Sequence, residues 1–381
     1  MEFTREGHSQ AAIDGCYVCP MCRHQCTVLK ATRLETDSPR SKALSLYALQ
    51  RGLLAWEGSG VVEQMYRCCG CRLCTAWCAS RFEPAEMVRS ARAEIAQRLL
   101  APKRAVGLLE GMEAEGNPMG LPREQRSWVL QGLGGGGRAE VVWYLGCVAS
   151  YRGEAEVRST ARLLRAAGVA WTTLGEDGCC GALAWSLGFR QEAREMAARV
   201  LEGVESSGCG TVVTGCPTCY QAIAREYERW GLRPRGEVEV LHISQYLARL
   251  VREGRLALSR RVTGRAVYHD PCSLGRGMGV YGEPRGLLRS MPGLELVESR
   301  HEGERGECCG HGGGMGHVEP EVAARAARQT LEGKLQTGAD MLVTACPTCR
   351  IAFERARSEL GSPVEVVDLA VLAARALEAS S

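Results

Sequence analysis

The chain has 381 residues, enough for two or three domains of ordinary size. Hydrophobic residues make up 45% and charged residues 24% of the chain, which excludes a disordered or fibrous protein. Its 47 basic and 44 acidic side chains nearly cancel, and this charge gives no indication that the protein binds nucleic acid.

The sequence shows no sign of a membrane span or of a secretory signal. No apolar run reaches the roughly 20 residues that cross a bilayer, and the first ten residues carry charges where a signal needs an apolar core. We expect a cytoplasmic protein, or one that lies peripherally on the cytoplasmic face of a membrane complex. In that reducing compartment the 20 cysteines indicate metal ligands and not disulfides.

The N-terminal part of the sequence has helical patterns. Ser38 and Pro39 form a cap and first turn before the periodic run SKALSLYALQ. Pro84 opens another helix, whose predicted apolar face consists of Val88, Ala91, Ile95 and Leu99. Residues 101–139 are richer in Gly and Pro and predict a linker that partly packs on its neighbours. We therefore expect an all-helical domain over 1–100.

Eight cysteines of this domain form two copies of the spacing C-x2-C-x2-C-x3-C. That spacing is typical of bacterial ferredoxins, which hold cubane [4Fe–4S] clusters and in which the fourth cysteine serves the other cluster. The expected ligand sets are Cys16, Cys19, Cys22 and Cys78 for one cluster, and Cys68, Cys71, Cys74 and Cys26 for the other. Thr27 and Ala79 stand where that family has proline, and paired zinc sites are the alternative.

An internal repeat begins near residue 140. The segments VVWYLGC, GEDGCCG and TVVTGCPTC, which begin at residues 141, 175 and 211, recur as RAVYHDPC, RGECCGHGG and MLVTACPTC. We assign the first copy to residues 140–250 and the second copy to 251–381.

Each copy alternates short strands with Ala-rich helices. Predicted strands lie at 141–145, 211–214, 265–268 and 341–344, and each ends close to a cysteine. This alternation predicts a parallel α/β sheet in each copy, with its ligand site at the carboxyl ends of the strands. The predicted fold is therefore α+β and multidomain, with a helical domain followed by two α/β halves that face each other across a pseudo-two-fold axis.

Each half carries five cysteines in the pattern C, CCG, CPTC. They are Cys147, Cys179, Cys180, Cys216 and Cys219 in the first half, and Cys272, Cys308, Cys309, Cys346 and Cys349 in the second. This pattern, preceded by a ferredoxin-type domain, resembles the tandem CCG domains of heterodisulfide reductase, in particular its D subunit, over essentially the whole chain. The same architecture occurs in iron–sulfur subunits of lactate, glycolate and glycerol-3-phosphate oxidoreductases.

The resemblance implies that each set of five cysteines holds one noncubane [4Fe–4S] cluster. A thioredoxin-like role for either CPTC pair is the alternative, although each pair comes with a CCG motif and an upstream cysteine. Two cysteines remain, Cys69 and Cys209, and both are interpreted as bystanders. His269 and Asp270 could handle protons for a leaving thiol, or His269 could simply bond to backbone at a strand end.

His242, His311 and His317 are weaker candidates for such a role. No dinucleotide-binding fingerprint follows a strand, so we expect neither a flavin nor a nicotinamide in this chain.

Two functions follow from the resemblance. The first is an enzyme subunit that reduces a (hetero)disulfide at the two noncubane clusters with electrons relayed by the two cubanes. The alternative is an electron-transfer subunit that links a flavoprotein dehydrogenase to a quinone or a membrane cytochrome. Either function implies a partner, which would be a flavin-containing electron-bifurcating subunit or a membrane b-type cytochrome subunit. A scaffold that holds several zinc ions is the third reading.

Overall fold

The structure, a computed structural model, describes residues 13, 15–126, 139–174 and 178–378. Between residues 15 and 126 the regular elements are helices joined by turns. These helices are Thr27–Thr32, Pro39–Gln50, Val61–Tyr66, Leu73–Ala76, Pro84–Gln97 and Lys103–Glu115. No helix among the described residues is both long and apolar enough to cross a membrane.

The two helices predicted from capping signals are present. The Ser38 hydroxyl accepts a hydrogen bond from the backbone N–H of Ser41 at 3.1 Å, and Pro39 is the first helical residue. Leu99 does not belong to the apolar face assigned to it, because the helix ends at Gln97 and the Leu99 side chain is 91% exposed. The Leu99 backbone turns into the left-handed region, at a φ of 60°, and points the side chain into solvent.

The range expected to form a linker contains the helix Lys103–Glu115. This helix buries Ala105, Leu108 and Met112 in a hydrophobic core that it shares with the preceding helices and the first sheet. The first part of this range therefore belongs to the packed fold. Residues 127–138, with the glycine run of the expected linker, lie outside the described residues.

The remainder of the described chain forms two sheets, each with four parallel strands. The first sheet has the order β2-β1-β3-β4, and the second has the order β6-β5-β7-β8. The first four strands are β1 Val141–Tyr144, β2 Trp171–Thr172, β3 Thr211–Thr214 and β4 Glu239–His242. The second four are β5 Gly264–His269, β6 Leu294–Val297, β7 Met341–Thr344 and β8 Glu365–Asp368.

Helices connect these strands. In the first half they are Cys147–Arg152, Glu154–Ala166, Ala182–Leu187, Arg190–Ser207, Pro217–Gln221, Tyr227–Arg229 and Ile243–Arg252, with a π-helical turn at Ala222–Glu226. In the second half they are Gly275–Met278, Gly282–Ser290, Met315–Val318, Pro320–Leu335, Pro347–Leu360 and Leu369–Arg375. The predicted alternation of strand and helix is confirmed in both halves.

The register of the strands repeats between the halves. Tyr144 pairs with Thr214 in the first sheet, and His269 pairs with Thr344 in the second. The four strands predicted from the sequence are the central pairs β1–β3 and β5–β7. The other four lie at the sheet edges, where half-exposed residues interrupt the apolar runs that mark a buried strand.

Arg92 joins the helical part to both halves. Its side chain is 1% exposed and its guanidinium carbon lies 5.0 Å from the centre of the Tyr66 ring. Its N–H groups donate to five backbone carbonyls, those of Met65, Tyr66, Cys68, Ser186 and Gly313, over distances of 2.7 to 3.2 Å. These carbonyls come from the N-terminal part, the first half and the second half, so this one side chain binds all three parts.

The first half approaches Arg92 at Gly188. A Cβ atom at Gly188 would overlap the Arg92 carbonyl oxygen, and the Gly188 φ of 106° is in the left-handed region. Only glycine therefore permits this close approach of the two backbones.

Replacement of Arg92 by glutamine should lower the free energy of unfolding by about 3 kcal/mol or more, because several buried carbonyls lose charged donors. Urea denaturation of the anaerobic full-length protein measures this loss. The matched control is Arg104→Gln, since the exposed Arg104 gives the Val318 carbonyl a single hydrogen bond of 3.2 Å. The control should lose less than about 1 kcal/mol. An equal loss in both variants would contradict the role given to Arg92.

Candidate functional site

Three cysteines of the first set lie at the carboxyl ends of the central strands. Cys147 begins the helix that follows β1, and Cys216 caps the helix that follows β3. Pro217 is the first residue of that helix, where a missing backbone N–H costs no hydrogen bond, and Cys219 lies in its first turn. The CPTC sequence is therefore a helix start that points two thiols at the same sheet edge.

The second set repeats this placement. Cys272 follows β5, and Cys346 caps the helix that follows β7, with Cys349 in the first turn. Cys308 and Cys309 precede the left-handed Gly310. A Cβ atom at Gly310 would lie 2.6 Å from the Ala326 side chain, so this glycine permits the close packing of the CCG turn on a helix.

Thiols within each set touch one another. The Cys147 and Cys179 thiols are hydrogen-bonded, which raises the pKa of Cys147 well above its usual value and lowers the pKa of Cys179 well below its own. In the second half the Cys349 thiol donates to the Cys309 sulfur at 3.2 Å. Hydrogen bonds from Cys308 and Cys349 lower the pKa of Cys309 to about 6. Each set thus brings together thiols that are hydrogen-bonded to one another. Cysteine side chains lose their thiol protons when they bind a metal, and closely grouped thiols suit such binding.

Both sets face one cavity of about 190 Å³ between the two halves. Its cysteine lining consists of Cys147, Cys179, Cys180, Cys216, Cys219, Cys272, Cys309, Cys346 and Cys349, joined by Cys68 and Cys69 of the N-terminal part. Trp185 and Trp230 stack on each other in the wall with ring centres 4.4 Å apart. The two halves therefore face each other across a common space, as the repeat predicted.

One carboxylate lies in this wall. Glu226 is 6% exposed, belongs to the π-helical turn and accepts a hydrogen bond from the Gln221 amide at 3.2 Å. Arg72 and Arg89 lie 4.0 and 3.8 Å from its oxygens and balance its charge. The sequence gives no signal for Glu226 or for the tryptophan pair, since Glu226 enters the wall through the π-helical turn and the two tryptophans meet only in the folded first half.

His269 lies beside the second set. The ligand atoms of His269, Cys309 and Cys349 all lie within 4.8 Å of one another. The imidazole packs edge-on against Phe353 with ring centres 4.6 Å apart, and burial together with the charge of Lys334 lowers its pKa to about 3. A neutral imidazole is thus placed against the thiols. The corresponding residue of the first half is Tyr144, whose hydroxyl donates to the Gly178 carbonyl at 2.7 Å.

Three other histidines have different positions. His242 is fully buried and caps the helix Ile243–Arg252, with its ring 2.8 Å from the Ser244 hydroxyl. His311 and His317 line the cavity, and burial lowers the pKa of both. Asp270 forms a bidentate ion pair with Arg285 at 2.6 and 2.9 Å and lies outside the cavity lining.

The eight N-terminal cysteines form two groups. One small cavity is lined by Cys16, Cys19, Cys22 and Cys78, and a second by Cys26, Cys68, Cys69 and Cys71, while Cys74 borders both. The fourth cysteine of each motif thus lies with the loop of the other motif. Cys19 and the neighbouring Tyr17 are exposed, so the first group lies near the surface.

The second N-terminal group touches the second half directly. The Cys71 thiol is hydrogen-bonded to the Cys308 thiol, and the Cys69 thiol also lies within hydrogen-bonding distance of Cys308. The Cys69 thiol donates to the Gly310 carbonyl at 3.3 Å. Cys209 lies apart from these groups, with its sulfur 3.6 Å from the Ala139 carbonyl oxygen.

Arg276 lies at this junction, and the sequence patterns above do not single it out. Its guanidinium donates to the Cys71 carbonyl at 2.6 Å and to the carbonyls of Glu304 and Gly306. A signal is nevertheless present in the sequence, because Arg276 follows Cys272 in the phrase HDPCSLGR.

Comparison with known proteins agrees with this architecture. The family model of the cysteine-rich CCG domain matches the chain twice, over residues 141–224 and 266–354. A Helicobacter pylori structure described as a hypothetical protein has a similar fold, with a TM-score of 0.52, 9% identity, and coverage of 89% of this chain and 68% of its own.

Three of the curated relatives are named as oxidoreductases or as a subunit of one. The D subunit of dihydromethanophenazine:CoB–CoM heterodisulfide reductase from Methanosarcina acetivorans is 29% identical over 96% of this chain and 94% of its own length. EtfAB:quinone oxidoreductase of Syntrophomonas wolfei is 31% identical over 83% of this chain and 47% of its own length. The "Probable iron-sulfur-binding oxidoreductase FadF" of Bacillus subtilis is 30% identical over 75% and 42%. The chain therefore contains two regions that match the CCG domain and is similar, along nearly its whole length, to the D subunit of heterodisulfide reductase.

Proposed function

We propose that the chain is an iron–sulfur subunit that reduces a disulfide in the cavity between its two CCG halves. The observation that carries this proposal is that all five cysteines of the first set and four of the second set, all except Cys308, line the same cavity. Reduction of a disulfide takes two electrons and two protons and gives two thiols. Two facing sites suit that reaction, since each can take one of the two sulfurs.

The donor sets suit iron–sulfur clusters. Sulfur ligands in groups of four and five, with buried and mutually hydrogen-bonded thiols, match the ligands that such clusters require. In our proposal, Cys16, Cys19, Cys22 and Cys78 hold one cubane, and Cys26, Cys68, Cys71 and Cys74 hold the other. Each CCG set holds one noncubane [4Fe–4S] cluster. When bound, the cubanes supply single electrons, and the noncubane clusters bind and reduce the two sulfurs of the substrate.

The side chains of the cavity have separate tasks. The stacked Trp185 and Trp230 give an apolar wall that excludes water from the reacting sulfurs. His311 and His317 can pass protons towards the thiolates that form, since both line the same space. His311 is held in place by a hydrogen-bonding contact of 3.0 Å between its ring nitrogen and the Cys309 carbonyl.

A partner would supply the electrons in this proposal. We place that partner at the exposed loop around Cys19, where Tyr17 and Met21 are 83% and 47% exposed. A flavin-containing subunit or a membrane b-type cytochrome subunit would dock there. On the cytoplasmic face of a membrane complex, this loop would point towards the partner.

The second candidate is an electron-transfer subunit with no substrate of its own. It is favoured by the similarity to EtfAB:quinone oxidoreductase, of which this chain spans about half the length. In that case the two CCG sites would pass electrons on to a quinone or to a cytochrome.

Thiol addition to the oxidised, anaerobically purified protein should produce a new paramagnetic species that is detected by EPR. Its loss in Cys309→Ser is expected, because that sulfur lies in the cavity wall. Cys209→Ser is the control, since Cys209 belongs to no ligand set and should leave the signal unchanged. If no thiol-dependent species forms while reduced-cubane signals are present, the electron-transfer subunit is the correct reading.

Iron content should reveal the exchange of ligands between the two N-terminal motifs. Cys78→Ala and Cys19→Ala should each remove about four irons, and the double variant should remove no more, because both cysteines serve one cluster. Cys78→Ala combined with Cys71→Ala should remove about eight. Iron and sulfide analysis of the reconstituted full chain measures these losses. An additive loss in the first pair would contradict the exchange, and Cys209→Ala should lose none.

A further inference from the structure

Arg276 occupies the junction between two of the sulfur sites. It belongs to the short helix Gly275–Met278, which follows Cys272 at the end of β5. Its Nε donates to the carbonyl of Cys71, and its Nη1 donates to the carbonyls of Glu304 and Gly306 at 3.1 and 2.7 Å. These three bonds fix the guanidinium between the N-terminal loop and the second CCG half.

The remaining end of the guanidinium is available for a further contact. Nη2 of Arg276 is buried and has no hydrogen-bond partner among the described residues. Burial alone would lower the pKa of Arg276, but the thiols of Cys71, Cys272 and Cys308 outweigh it and raise that pKa. A buried N–H donor is incomplete without an acceptor, and a thiolate supplies one.

The corresponding position of the first CCG half carries no cation. Arg276 lies four residues after Cys272, and the residue four positions after Cys147 is Tyr151. The contact between the Cys71 and Cys308 thiols is likewise made with the second half. The two halves therefore differ in charge at the position of Arg276, beside the N-terminal loop that carries Cys71.

We propose that Arg276 is a positioning residue that holds its positive charge against the sulfur ligands of two sites, the N-terminal site of Cys71 and the CCG site of Cys272 and Cys308. This inference rests on the proposed function, because it assumes that both sites bind clusters. Reduction of either site adds negative charge, which a fixed guanidinium in a region of low dielectric constant stabilises. Arg276 thus keeps the reduction potentials of these two sites higher than they would otherwise be and leaves the first CCG site unaffected.

An EPR-monitored redox titration of the reconstituted full-length protein tests this proposal. Signals are first assigned to sites by their loss in Cys71→Ala, Cys272→Ala and Cys180→Ala variants. Arg276→Gln should then lower the midpoint potentials of the two signals assigned through Cys71 and Cys272, and leave unchanged the signal assigned through Cys180. Arg276→Lys keeps the positive charge and should lower the midpoint potentials of the Cys71 and Cys272 sites by less.

The matched control is Arg225→Gln. Arg225 is exposed and donates to the carbonyl of Gly277, the neighbour of Arg276, at 3.1 Å. It should change no potential. If Arg276→Gln lowers the thermal stability but leaves the midpoint potentials unchanged, Arg276 has only a structural role and the proposal is overturned. An equal shift of the midpoint potential at every site would also overturn it. If the wild-type chain binds no iron, the proposed function fails and this inference fails with it; normal iron content without a shift overturns this inference alone.

Discussion

The assembly depends on the burial of one positive charge. Removing a guanidinium from water is costly unless every donor finds an acceptor, and Arg92 meets that requirement with five backbone carbonyls drawn from three parts of the chain. None of the three parts can supply those acceptors alone. The helical part and the two sheets are therefore stabilised together, and the cavity between the halves exists only in the fully assembled molecule.

The duplicated halves share a cysteine pattern and a strand register but differ in what surrounds the sulfurs. Tyr144 of the first half corresponds to His269 of the second, and the helix after the CPTC motif is interrupted by a π-helical turn in the first half but continuous in the second. That turn brings Glu226 into the cavity wall. Duplication thus produced two similar cysteine sets in unlike electrostatic surroundings, which suits the proposal that each site takes a different sulfur of one substrate.

Much of this architecture could be predicted from the sequence, because cysteine spacing and strand-end positions are local signals. The four central strands, the capped helix that begins at Pro39 and the facing of the two halves are examples. Edge strands are harder to predict, since their residues are half exposed and lack a clear apolar run. The helix Lys103–Glu115 inside the predicted linker could not be found from the sequence, because the flanks of that helix are rich in glycine and proline. The role of Arg92 could not be predicted from the sequence, because its hydrogen-bond partners are backbone carbonyls, which every residue has.

The contact between Gly188 and Arg92 has an evolutionary consequence. The Gly188 position has no room for a Cβ atom beside the backbone of residue 92, so the glycine should be retained whatever side chain stands at position 92. A descendant that gains any side chain at the glycine must move the first half outward, and the arginine would then lose the carbonyl of Ser186. Substitution of Gly188 should therefore be accompanied by substitution of Arg92, whereas Arg92 can change while the glycine stays, because the atoms that exclude a Cβ at position 188 belong to the backbone.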